Sequence, residues 1–239
     1  MDHLQQLRVV TAAFEADARA LDLSHPTAAL RWTGHDLVAH LGEIHRWAAA
    51  IVATGKRQTR TNVPELTEPA ADWYAGGRRM LLNSLESRPA SDAVWTLKRS
   101  DRTAGFWHRR QLHETIVHLW DLRSTADPDA APPPEVDAET HAEGIDELFD
   151  VFVPKAAEQN QASLPAPLTL RATDTDRFWT VHRDLSCDFE TLSRSTVVSG
   201  PAGALLLFAW NRYTPASSAL TITGNAKVVE EFRRARIRP

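Results

Sequence analysis

Apolar positions recur at helical steps over roughly the first two thirds of the chain. Leu4, Leu7, Val10, Thr11, Phe14 and Ala18 fall three or four residues apart, which predicts an amphipathic helix at the start. Small polar residues from Thr33 to Asp36 precede the run DLVAHLGEIHRWAAAIVA and predict a second helix opening there. Gly55 and KRQTRTNVPELTEP read as a long loop, and a third helix is expected over about residues 69–86, before the turn chemistry of SRPASD. Residues 91–103 read as irregular or extended. A fourth helix, over about residues 104–126, is stopped by DPDAAPPPEVD, because proline lacks the amide donor and clashes with the preceding turn. One more helix is expected over about residues 136–157, and helices of this length joined by loops predict an antiparallel bundle.

After about residue 160 the pattern changes. LTLRAT, FWTVHR, TVVSG and SALTIT are short β-branched or aromatic runs between polar turns and read as strands. GPAGALLLFAWNR is apolar around most of its circumference and reads as a buried helix, while AKVVEEFRRARI reads as an amphipathic closing helix. The expected fold class is therefore α+β, with a helical bundle over residues 1–158 and a smaller α+β domain over residues 159–239. The Pro-rich stretch at 127–134 is read as a loop inside the helical domain, since the strand pattern starts only after residue 160.

Composition narrows the class. In 239 residues there is one cysteine, Cys187, which rules out a disulfide framework and a cysteine-based zinc site. With 27 basic and 31 acidic side chains the net charge is −4, which argues against a nucleic acid or an anionic membrane as the main partner. The longest apolar run, residues 204–210, is far shorter than the roughly 20 residues of a membrane-spanning helix. The N-terminus lacks the basic-then-apolar pattern of a secretory signal, so a cytoplasmic location is expected.

Histidine is the unusual quantity. Six of ten fall in two windows, His35, His40 and His45, then His108, His113 and His118. A helix turns about 100° per residue, so groups five apart point about 140° away from one another. At most one histidine of each window can face a given centre. On the helical wheel His40 shares the apolar stripe of Leu37, Ile44, Trp47, Ala48 and Ile51, while His35 and His45 fall toward its flanks. Glu114 and His118 are four apart and face one point, with Asp121 on the same line a turn further on.

Each half of this pattern has a plain alternative: a core histidine satisfied by a backbone group, and a solvated helix face. Together, though, His40, Glu114 and His118 offer two imidazoles and a carboxylate from two helices. That set suits Zn²⁺ or a similar first-row divalent ion and leaves a coordination position open. Asp121 and Glu43 are candidates for orienting the imidazoles from behind. Trp32, Trp47, Trp107 and Trp120 flank the motifs as pocket walls or core packing, and Arg109 and Arg110 as an anion guide or a solvated face.

WTGHDLVAHLGEIHRW, followed by FWHRRQLHETIVHLWDL, resembles the mycothiol-dependent maleylpyruvate isomerase family, whose N-terminal domain is a DinB-like four-helix bundle. The resemblance implies that His40, Glu114 and His118 bind the metal; His113 matches a residue common in relatives but the wheel turns it away. TVVSGPAGALLLFAWNRYTP and LTITGNAKVVEEF look like the family's smaller C-terminal domain, similar to sterol-carrier-like folds. There Arg212 matches an arginine that binds substrate carboxylate, and the resemblance makes it the candidate catalytic residue, although Asn211–Arg212 stands where a glycine–arginine pair is more usual. Mycothiol as cofactor and a small electrophilic, acidic substrate follow as expectations, with isomerisation or S-transfer as the reaction. Many members share the triad without being isomerases, so the motifs imply a reaction class and not a substrate. The sequence leaves two rivals: a thiol-independent metal hydrolase, and a non-catalytic metal- or ligand-binding protein in which His113 or Glu43 fills the open position. Cys187 is expected to be structural or a surface residue, so any reacting thiol must come from outside the chain. Oligomeric state is not legible.

Overall fold

The computed structural model describes residues 2–127, 131–154, 163–189 and 196–235. It divides into two units, Met1–Pro134 and Glu135–Pro239.

The first unit is a bundle of four helices: α1 (His3–Ala20), α2 (Gly34–Thr54), α3 (Ala70–Glu86) and α4 (Ala104–Arg123). Local chemistry sets their ends. The Asp2 carboxylate accepts from the Gln5 amide to cap α1, and Thr33 with Asp36 forms a reciprocal capping box on α2. Gly55 closes α2 in the left-handed conformation, with its amide donating to the Ile51 carbonyl. α2 and α3 approach closely because both carry glycine at the crossing: a methyl group on Gly77 would overlap the Gly42 carbonyl oxygen. α4 packs against the other three helices and is buried along nearly its whole length, including Arg110, Gln111, His113, Glu114, Thr115, His118 and Asp121. Segment 91–103 folds back on itself at one isolated bridge, Ala93 to Thr103, and is tied to the bundle by the Trp95 amide donating to the Gly55 carbonyl and by Trp107 Nε1 donating to the Trp95 carbonyl.

The second unit opens with α5 (Ala138–Glu147), which continues through one wider π turn, Leu148–Phe152. Five strands follow: β1 (Leu168–Ala172), β2 (Phe178–Val181), β3 (Cys187–Asp188), β4 (Thr196–Gly200) and β5 (Thr221–Thr223). They form one sheet in the order β3-β2-β1-β4-β5, with β1 and β4 parallel and the other pairs antiparallel. Helix α6 (Ala202–Ala209) is buried at every residue against α5, β1 and β4, as its all-round apolar sequence requires. Helix α7 (Ala226–Arg234) closes the unit on β4, burying Val228, Val229 and Phe232. The Asp146 carboxylate ties α5 to the sheet, accepting from Trp179 Nε1 at 2.7 Å and pairing with Arg177.

The division between units differs from the expected one. α5 packs on α6, so it belongs with the sheet, and the break falls at 134/135, beside the proline run. The expected boundary at 158/159, and the end of the expected helix at 155–157, lie outside the described residues. Among the described residues no helix is long and apolar enough to cross a membrane.

The unusual Asn211–Arg212 pair has a backbone explanation. Asn211 has φ 61°, the left-handed region that glycine enters freely and asparagine tolerates better than other side chains. Asn211→Gly is expected to leave stability unchanged within a few tenths of a kcal/mol, whereas Asn211→Val should cost about 1–2 kcal/mol in urea unfolding.

Candidate metal centre

The three expected donors come together within the helical unit. His40 projects from the second turn of α2, and Glu114 and His118 from adjacent turns of α4; one donor atom of each lies within 4.8 Å of the others. His118 Nε2 is 3.4 Å from Glu114 Oε1, and the His40 and His118 rings meet edge to face at 5.6 Å between centroids. Glu114 and His118 are buried and His40 half-buried.

The surroundings aim these atoms. The Asp121 carboxylate, fully buried, lies 2.9 Å from His118 Nδ1. An ionised carboxylate only accepts, so Nδ1 carries a proton and donates to Asp121, while Nε2 faces Glu114 Oε1. Arg110, also buried, takes Glu114 Oε2, which leaves Oε1 on the His118 side. His40 packs on the Trp32 ring, 4.6 Å between centroids, and its Nδ1 accepts from Arg60 Nη2 at 3.2 Å. Burial, then the neighbouring His118 and Arg60 charges, pushes the His40 pKa down to about 3, so the ring is neutral in ordinary buffers.

Of the two carboxylates expected to orient imidazoles, Asp121 does so. Glu43 instead accepts from Thr61 Oγ1 at 2.6 Å and fastens the loop between α2 and α3. Trp32 lies against the donors, but Trp47 and Trp107 join Trp95 in an aromatic cluster, and Trp120 is buried with its Nε1 donating to the Ala131 carbonyl. Arg110 is the buried partner of Glu114 and not part of a solvated face. His113 is buried but outside the donor group.

His45 differs from its expected place on a flank. It is fully buried, its Nε2 3.3 Å from Thr115 Oγ1 and its ring beside Tyr74. α2 packs on both α3 and α4, so its buried arc is wider than the single stripe on the wheel. Arg60 is the neighbour of the donors that the periodicity missed. It lies in a loop, where helical spacing says nothing, and only the basic run KRQTR marks it.

In the second unit, Arg212 follows α6, with its Nη1 donating to the Trp210 carbonyl at 2.9 Å. Cys187 sits on β3, and burial, with Asp188 and Asp146, pushes its thiol up to about 12. It is not a nucleophile at neutral pH.

The donor chemistry fits a divalent ion. Two imidazoles and one carboxylate oxygen converge, and the orientation of His118 is fixed by a buried carboxylate, the pattern found behind metal-binding histidines. Among the described residues no fourth side chain joins the group.

Fold and donor set define a class: a four-helix bundle with an interhelical two-histidine, one-glutamate cluster, joined to a small α+β unit. Residues 4–123 match the mycothiol maleylpyruvate isomerase N-terminal domain and residues 139–231 the MDMPI C-terminal domain, and the chain belongs to this family. Two crystal structures share the fold. The mycothiol-dependent maleylpyruvate isomerase superposes with a TM-score of 0.57 at 18% identity, and a histidine-to-alanine mutant of that enzyme with 0.59 at 16% identity. Each alignment covers 92% of this chain and 91% of the other. No functionally curated protein matches the sequence.

Proposed function

We propose that the chain is a metal-dependent enzyme that uses mycothiol to isomerise a small, unsaturated, acidic substrate. The observation that carries this reading is the His40, Glu114 and His118 group, with its donor atoms within 4.8 Å of one another and no fourth side chain among the described residues. Family membership supports the thiol and the isomerisation; the donor set supports Zn²⁺ or a similar ion. When bound, ion and thiol together would supply a thiolate nucleophile at neutral pH, whose reversible addition to a conjugated double bond is the chemistry of cis–trans isomerisation.

The protein's own residues do the positioning. Asp121 fixes the His118 ring so that Nε2 faces the centre, and Arg110 restrains Glu114 to one inward oxygen. Burial keeps His40 unprotonated and able to donate its lone pair. Arg212 is assigned to the substrate carboxylate, which an arginine grips through two parallel N–H bonds.

Thiol dependence tests the proposal against its rival. Incubation of the zinc-loaded protein with maleylpyruvate should give the trans isomer only when mycothiol is added. Turnover of an ester or amide without thiol would support the hydrolase instead.

A further inference from the structure

The loop between α2 and α3 holds a charged group that the proposed chemistry does not use. Three bonds fasten this loop to one stripe of α2. Trp47 Nε1 donates to the Gln58 carbonyl at 2.9 Å, Thr61 Oγ1 to Glu43 Oε1 at 2.6 Å, and Arg60 Nη2 to His40 Nδ1 at 3.2 Å. Residues 40, 43 and 47 follow one another at three- and four-residue steps, so the loop runs along the edge of the helix that bears the metal donor. The Gln58 carbonyl and the Thr61 side chain thus hold the loop on both sides of Arg60. Arg60 as a residue is exposed and has a long flexible stem, while its guanidinium, set against His40, is partly desolvated and its pKa lowered by burial.

The contact with His40 carries a chemical conflict. A guanidinium has only donors, so His40 Nδ1 accepts, and a neutral imidazole has one bare nitrogen. An ion bound at Nδ1 would displace Arg60 directly. An ion bound at Nε2 would require the ring proton on Nδ1, and Arg60 would lose its acceptor. Whichever nitrogen is used, His40 serves the ion or Arg60, not both. A released Arg60 would still be tethered through Thr61 and Glu43, a cation beside the metal with a planar fork suited to a carboxylate.

We propose that Arg60 exchanges between His40 and a carboxylate of the substrate: ion binding at His40 frees the guanidinium, which then becomes an anion-recognition group of the helical unit. This rests on the metal reading above and adds a specificity residue to it. Two binding measurements, neither of which needs turnover, test it. In competition with a chromophoric chelator, Arg60→Ala and Arg60→Gln should bind zinc about 3- to 10-fold more tightly than wild type, since a competing charged hydrogen bond is lost. In calorimetry on the zinc-loaded proteins, maleate should bind both variants about 10-fold more weakly, with Arg60→Lys in between because it keeps the charge but not the fork. Unchanged or weaker zinc affinity in Arg60→Ala would overturn the exchange. Tighter zinc with undiminished maleate binding would overturn the carboxylate role. Failure of wild type itself to bind zinc would instead remove the metal reading on which both stand.

Discussion

Replacing His118 with alanine is expected to empty the metal site and abolish turnover, while Asp121→Asn should weaken metal binding by about 10–100-fold and leave measurable activity. The two effects differ because the residues do different things. On the proposed reading His118 would donate the lone pair itself, while Asp121, 2.9 Å from Nδ1 across a buried contact, would hold the ring proton there and leave Nε2 for the ion. Asparagine can still accept from Nδ1 through its carbonyl oxygen, but it brings no charge and can also offer its amide to the wrong tautomer. Metal content after dialysis and zinc affinity by chelator competition check both. Full metal occupancy in His118→Ala would show that the ion, if one binds, is held elsewhere.

The second large effect is on stability in acid, and it comes from His45. This ring is fully buried, and burial, then the charges of His118, Arg46 and Arg78, pushes its pKa down to about 3. An unfolded histidine titrates near 6.5. Below that pH the unfolded chain takes up a proton that the folded chain refuses until about pH 3, so stability falls as the pH drops through this window. The slope for one such group is about 1.4 kcal/mol per pH unit, or about 2 kcal/mol between pH 6.5 and 5. His45→Gln removes the titration and keeps a polar group near Thr115. In urea unfolding, the stability of wild type relative to this variant should fall by about 2 kcal/mol from pH 7 to pH 5. Acid release of a bound metal affects both proteins and cancels in the comparison. An unchanged difference would mean that His45 is protonated in the fold or reachable by water.

What could be read from the sequence follows from which features are local. Glu114 and His118 share a helix at the four-residue spacing, and His40 shares a stripe with apolar residues, so their convergence needed only that α2 and α4 be neighbours. His45 was harder because the wheel assumes one buried face, whereas α2 packs against two helices. α5 carries the same helical signal as the bundle, and nothing in its periodicity says that it packs on α6 in the second unit. Arg60 belongs to a loop whose path is set by side-chain contacts with Glu43 and Trp47 on the preceding helix, which the periodicity of the loop itself does not encode. At Asn211 the departure from the expected glycine became intelligible only with the backbone angle.

The central claim is a metal held by His40, Glu114 and His118 that takes an external thiol. X-ray absorption at the zinc edge, on protein loaded with one equivalent and then given mycothiol, tests it most directly. Cys187 is the sole cysteine, lies in the other unit and has a thiol raised to about 12, so the protein has no sulfur suited to the ion at neutral pH. The account predicts nitrogen and oxygen neighbours alone before the thiol is added and one sulfur at about 2.3 Å afterwards. A spectrum that gains no sulfur on addition of mycothiol would contradict it.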